Sequence, residues 1–158
     1  MKQIVGLADA DFWLTSLRAG TAFSAGGSLE PAVGGVSEVQ LLNPVGSGVV
    51  VLVYILSAVV PPSTLALWNR YDTALPTLVS TGVNLLLGGA GGAAQVRSSQ
   101  PAAVEGTEIT SLRIQDPSPL ARYPAWIFEM AAGTGVLLTT GGQNTRISAQ
   151  FMWIELPA

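Results

Sequence analysis

The chain has 158 residues, enough for one domain with a real core, yet only 11% are charged against 49% apolar, and the net charge is −3. Its seven basic residues stand singly, so no basic stripe exists to neutralise phosphates, and nucleic acid is excluded as an expected partner. The absence of cysteine and histidine removes disulfides, thiolate chemistry, Ser–His–Asp and Cys–His arrangements, and zinc held by His or Cys.

The first 36 residues hold two apolar groups, one at Ile4, Val5 and Leu7 and the other at Phe12, Trp13, Leu14 and Leu17, followed by AGTAFSAGGSLEPAVGG. Asp9 and Asp11 interrupt any long apolar region, so the segment does not read as a signal peptide, and the expected site of synthesis is a cytoplasm without secretion. Such a stretch lacks the material for a core, but Phe12 and Trp13 are costly to leave in water. It is expected to be an N-terminal arm, residues 1–36, joined by a flexible Gly/Ala/Ser tether to a domain spanning 37–158. Phe12, Trp13, Leu14 and Leu17 are its candidate assembly contacts. An arm packed back on its own domain is the plainer alternative.

Next comes LLNPVGSGVVVLVYILSAVV, from Leu41 to Val60. Its uninterrupted part, Val49 to Val60, is about 12 residues long, whereas a membrane-spanning helix needs roughly 20, so no membrane partner is expected. Upstream, Asn43 to Gly48 is turn chemistry, and Pro61-Pro62 closes the run. The Val and Ile content favours a long strand, expected to be apolar on both faces and to lie between two layers.

Further strands are expected at Glu38–Leu42, Thr64–Tyr71, Thr77–Thr81, Val83–Leu87, Ala94–Ser98, Glu108–Ile114, Ala125–Met130, Gly135–Thr139 and Thr145–Leu156. Gly- and Pro-rich turns separate them. In the last of these, Ile147, Ala149, Phe151 and Trp153 share one face and Arg146, Ser148 and Gln150 the other. About ten strands without a long amphipathic helix define an all-β fold, an antiparallel β-sandwich of jelly-roll-like order. Val51, Val53, Ile55, Phe128, Ile147, Phe151 and Trp153 are its expected core.

Only carboxylate chemistry remains among the usual acid–base options, and the closest acids, Asp9/Asp11 and Glu105/Glu108, read as loop or strand-end charges. Asp9 and Asp11 lack the further oxygen ligands of a calcium site. The segment Gly89-Ala90-Gly91-Gly92-Ala93-Ala94 matches G-x-G-x-x-A, but Ser98-Ser99-Gln100-Pro101 leaves no room for the helix of a dinucleotide site, so it reads as a structural turn. Tyr54, Trp68, Tyr71, Tyr123, Trp126, Phe128, Phe151 and Trp153 would suit a sugar-binding surface, although aromatics at strand spacing usually belong to a core. No catalytic residue, metal or cofactor is expected.

Three motifs recur in combination: LLNPVGSG at Leu41–Gly48, GTGV at Gly133–Val136 and FMWIE at Phe151–Glu155. Over about Val36 to Leu156 the chain resembles small β-sandwich virion proteins of tailed bacteriophages, those serving as capsid decoration (cement) proteins or fibre heads. The resemblance implies a non-enzymatic homo-oligomer, a trimer, at the capsid surface of a virion, bound to the major capsid protein and made in a host cytoplasm. The low charge independently favours an oligomer, because such an exterior is poorly protected against association. A receptor- or glycan-binding fibre-tip module is the alternative, and a carbohydrate-active enzyme with a carboxylate pair the third.

Overall fold

The face defined by Ile147, Ala149, Phe151 and Trp153 becomes the centre of the core, with each of the four at most 2% exposed. The computed structural model describes residues 11–61, 64–113 and 120–158, and of residues 54–56, 110–113 and 120–128 the backbone alone. Among the described residues, strands form β1 (Ala22–Leu29), β2 (Glu38–Asn43), β3 (Val49–Val59), β4 (Leu65–Arg70), β5 (Thr77–Ser80), β6 (Val83–Asn84), β7 (Gln95–Ser99), β8 (Thr107–Arg113), β9 (Leu120–Met130), β10 (Thr134–Thr140) and β11 (Ile147–Pro157). They build two packed antiparallel sheets, ordered β6-β1-β11-β3-β9 and β5-β7-β2-β10-β4-β8. The chain is an all-β sandwich.

The pairing is nested. β1 pairs with β11, β2 with β10, β3 with β9 and β4 with β8, alternately in the first and second sheet. β5, β6 and β7 intervene between β4 and β8 and extend the two sheets at one side. Between the sheets, Trp68 meets Phe151 edge-on at 6.3 Å, and Phe23 stacks on Trp153 at 5.9 Å, geometries that suit the ring quadrupoles. Val51 and Val53 are fully buried, as expected. The expectations for Ile55 and Phe128 fall on side chains outside the described ones.

β3 differs from its expected place. It is an inner strand of one sheet and not a strand between two layers, so its second face is open: Val50 and Leu52 are half-buried and Val59 is exposed. A register shift opposite Met152/Trp153 leaves Tyr54 unpaired, and the buried parity switches from Val51 and Val53 to Ala58 and Val60. One inserted residue turns a strand over in this way.

The expected arm at 1–36 is corrected in its second half. Ala22–Leu29 is a core strand of the sandwich, paired along its whole length with β11, and Phe23 and Ala25 are buried. The stretch AFSAGGSL looks like a tether because its residues are small, and smallness is what its place requires. A Cβ on Gly27 would sit 2.9 Å from Val39 of the facing sheet. The domain therefore begins by Ala22, and residues 20–35 are not a flexible span.

Two glycines with positive φ separate backbone strain from crowding. Gly46 (φ 75°) has open space where a Cβ would point, while at Gly82 (φ 83°) a Cβ would lie 2.6 Å from the ring of fully buried Trp153. Gly46→Ala should cost only about 1 kcal/mol of backbone strain. Gly82→Ala should cost roughly 3 kcal/mol or more, because the indole must also move within a packed core. Chemical denaturation of the two variants measures the difference, and equal losses would refute the close approach at Gly82.

Candidate functional site

Antiparallel pairing puts particular chain ends together. The end of β2, the start of β3, the end of β9, the start of β10, the end of β11 and the start of β1 meet at one end of the sandwich, since Asn43 lies opposite Thr134, Pro157 opposite Val49 and Ala22 opposite Ile154. All three sequence motifs therefore converge. Asn43, fully buried, joins two of them: its Nδ2 donates to the Val49 carbonyl at 2.9 Å and the Met130 carbonyl at 3.0 Å, and its main-chain carbonyl accepts from the Gly133 N–H at 2.7 Å. The Pro44 carbonyl accepts from the Ser47 N–H, closing a turn with Gly46 at its third position.

Residues 11–18 form a short helix, α1, at the same end. Its stop is well defined. Gly20 adopts φ 71°, its N–H donates to the Leu17 carbonyl, and the Thr21 N–H donates to the Ser16 carbonyl, the paired bonds of a Schellman cap. Trp13, Ser16 and Leu17 face inward at helical spacing, with Ser16 buried and Trp13 and Leu17 half-buried, whereas Phe12 and Leu14 are each 42% exposed. The four candidate assembly residues thus divide into an anchoring pair and an outward pair. Exposed Val45, Leu86 and Leu87 belong to loops at this end, and Leu86 lies beside Gly20.

The Gly-rich segment is a loop, as expected, and it has a definite occupant. The Glu155 carboxylate accepts from the Ala93 and Ala94 N–H groups, both at 2.9 Å, and from the Trp153 indole N–H at 3.0 Å. A Cβ on Gly92 would stand 2.6 Å from that carboxylate. The position that mimics a nucleotide fingerprint is bare because an internal acid takes the place of a phosphate. Asn84 fastens the same loop by donating to the Gly20 and Ala90 carbonyls and accepting from the Leu86 N–H.

Acids meet at a place that sequence spacing does not indicate. Glu38 of β2 is fully buried, and its Oε1 accepts from the Glu105 N–H at 3.0 Å. Burial pushes the Glu38 carboxyl up to about 7; the Glu105 N–H opposes the shift, and the Glu105 carboxylate adds to it. Glu105 is half-buried in the connection before β8, Glu108 is an exposed residue of β8, and Asp9 lies outside the described residues. Glu38 is closed to solvent, and of the two acids only the half-buried Glu105 is open to a solute. No group of three potential metal-ligating side chains occurs among the described residues, and no described helix is long and apolar enough to cross a membrane.

Hollows mark the surface formed by the described residues. One of about 230 Å³ lies between Arg70, Ile109, Glu129 and Thr134, and Arg70 is already engaged by Asp72 at 2.7 and 2.9 Å. Another, about 340 Å³, is a shallow trough on the outer face of β1 and β11, floored by Gly26 and Gly27 and flanked by Ser24, Ser148 and Gln150. Of the aromatics considered for sugar binding, Trp68, Phe151 and Trp153 are core residues with no exposure. Tyr71 is half-buried, and the side chains of Tyr54, Tyr123, Trp126 and Phe128 lie outside the described ones.

No family model matches the chain, and neither the curated proteins nor the solved structures contain a match to it.

The Glu155 knot is a direct target. Glu155→Gln leaves one oxygen for three donors and turns an NH2 group towards N–H groups, at an expected cost of about 2–4 kcal/mol. Urea denaturation gives the loss, and amide exchange at Ala93 and Ala94 should accelerate more than at any β2 amide. A neutral outcome would mean that the loop is held by something other than this carboxylate.

Proposed function

We propose that this chain is a non-enzymatic structural protein of a tailed-bacteriophage particle, a trimeric decoration (cement) protein that clamps the major capsid protein through the end of the sandwich bearing α1. The observation that carries the reading is the gathering of exposed apolar side chains there: Phe12 and Leu14 on a capped, anchored helix, with Val45, Leu86 and Leu87 on adjoining loops. Isolated exposed apolar residues need no explanation, but a group at one end of a weakly charged molecule marks a contact surface. The open second face of β3 adds apolar area for neighbouring subunits.

The nested strand order supports the same reading at the level of fold. We read β1-β11-β3-β9 facing β2-β10-β4-β8 as a jelly-roll order, an architecture used by viral capsid and lectin domains. That link is an analogy of fold and not of site. The fibre-tip alternative draws less support, since the described aromatics that would stack on a sugar are mostly core.

The test pairs assembly with stability. The wild-type chain should sediment as a trimer and coat phage heads stripped of decoration. Phe12→Ser combined with Leu14→Ser should reduce head binding or self-association at least tenfold while changing fold stability by no more than about 1 kcal/mol, as exposed positions allow. A monomer that binds no head at any concentration would overturn the proposal, and a double variant that binds normally would move the contact away from α1.

A further inference from the structure

The connection from β7 to β8 has an unusual task. The two strands are separated in their sheet by β2, β10 and β4, four inter-strand steps or roughly 19 Å. Residues 100–106 must cover that gap with a reach of roughly 24 Å when fully extended, so the crossover has little slack. It is fastened along its course. The Pro101 carbonyl accepts from the Val36 N–H, the Ala102 carbonyl from the Gln143 side-chain amide, and the Gln100 side chain donates to the Glu30 carbonyl. At Glu105 the backbone straddles β10: its N–H donates to Glu38 of β2, and its carbonyl accepts from Asn69 of β4 at 2.6 Å.

Two buried oxygens at this crossing have no hydrogen-bond partner, Glu38 Oε2 and Asn69 Oδ1. A buried carboxylate oxygen left unpaired beside a second carboxylate is costly, and one proton on Glu38 removes both difficulties, since the acid O–H then has the Glu105 carboxylate as acceptor. We infer that the crossover at residues 100–106 is a strap latched by a proton held between Glu38 and Glu105, closed in acid and released when that proton leaves.

The surroundings leave the proton as the only neutralising charge among the described groups. From the segment after β4, the Tyr71 phenol meets the pair as a neutral group, its ionisation pushed up by burial and by Glu105. From β10, Thr139 lies opposite Glu38, and from β7, Ser99 does. The nearest arginines are committed elsewhere: Arg97 of β7 to Gln95 and the Leu75 and Pro76 carbonyls, and Arg70 of β4 to Asp72. The sign follows from Glu38 being raised from 4.5 to about 7 in the closed state. The latch contributes fully below the ordinary carboxyl range and is lost as pH rises through neutrality.

Amide hydrogen exchange on the intact chain at pH 5.5 and pH 8.5, corrected for the intrinsic rate, tests the strap. Protection of the Glu105 amide should fall at least tenfold between the two, and in Glu38→Gln, which mimics the protonated acid, it should be the same at both. Equal protection at both pH values in the wild type, or an equal fall in Glu38→Gln, overturns the latch. Should Glu38→Gln fail to fold, Glu105→Gln keeps the backbone donor and removes the facing charge, so the fall should shrink. An undiminished fall counts against the proposal. Carbon-13 titration of the wild-type Glu38 carboxyl gives an independent reading: a midpoint near neutrality supports the shared proton, and one at or below the ordinary carboxyl value refutes it.

Discussion

Loop backbone that runs against a sheet must find hydrogen-bond partners, and in this chain buried side chains supply them. Gln40, fully buried on β2, donates to the Tyr71 and Thr73 carbonyls and accepts from the Leu75 N–H. Asn43 ties the turns at 44–48 and 131–133, Asn84 and Glu155 tie the Gly-rich loop, and Glu38 with Asn69 ties the crossover. Because buried N–H and C=O groups are almost always paired, these few side chains decide where the long connections can lie. Part of the outer face of the second sheet is consequently polar and yet closed, with Glu38, Gln40, Asn69 and Thr139 at most 2% exposed.

That arrangement explains both what was legible in the sequence and what was not. Most strands from Glu38 onward stand close to their expected bounds, since β-branched runs and period-two alternation report directly on a half-buried sheet, but β9 begins at Leu120 and not Ala125, and β6 stops at Asn84 and not Leu87. β1 was hidden, because AFSAGGSL earns its place by lacking bulk opposite Val39, a property of the partner and not of the segment itself. The Gly-rich loop was correctly read as structural, but its reason is Glu155, some sixty residues further on, which no local pattern reveals. The Glu38 site was equally invisible: an acid opening the strand EVQLLN looks like a solvated end, and only the crossover closes over it. At α1 the apolar clump was evident in the sequence, while its division into inward Trp13 and Leu17 and outward Phe12 and Leu14 required the helix.

Low charge and a fastened framework fit together physically. A surface with so few ions gains little from electrostatic steering, so the association proposed above would draw on apolar area presented in a fixed geometry. The Schellman cap at Gly20 and the tie between Asn84 and the Gly20 carbonyl hold α1 against the loop that carries Leu86 and Leu87. Pre-ordering of this kind lowers the conformational entropy lost on binding. Were the chain the particle protein proposed above, repetition over many equivalent positions would multiply a modest contact into a durable one.

Nested pairing also governs how the chain reaches this state. β11 lies between β1 and β3, so β1, which meets only the two-residue β6 on its other edge, finds its full-length partner only when β11 has been made. Contacts of such long sequence separation close large loops before any packing rewards them, which places the fold among slow folders. On the ribosome, a nascent chain lacking residues 147–157 would hold β1 and β3 side by side with the slot between them vacant, two unpaired edges with Phe23 and Val53 uncovered. Such edges invite the strand of another chain, so the rate at which β11 is made and seated, and not only the stability of the finished sandwich, sets how much of it escapes aggregation.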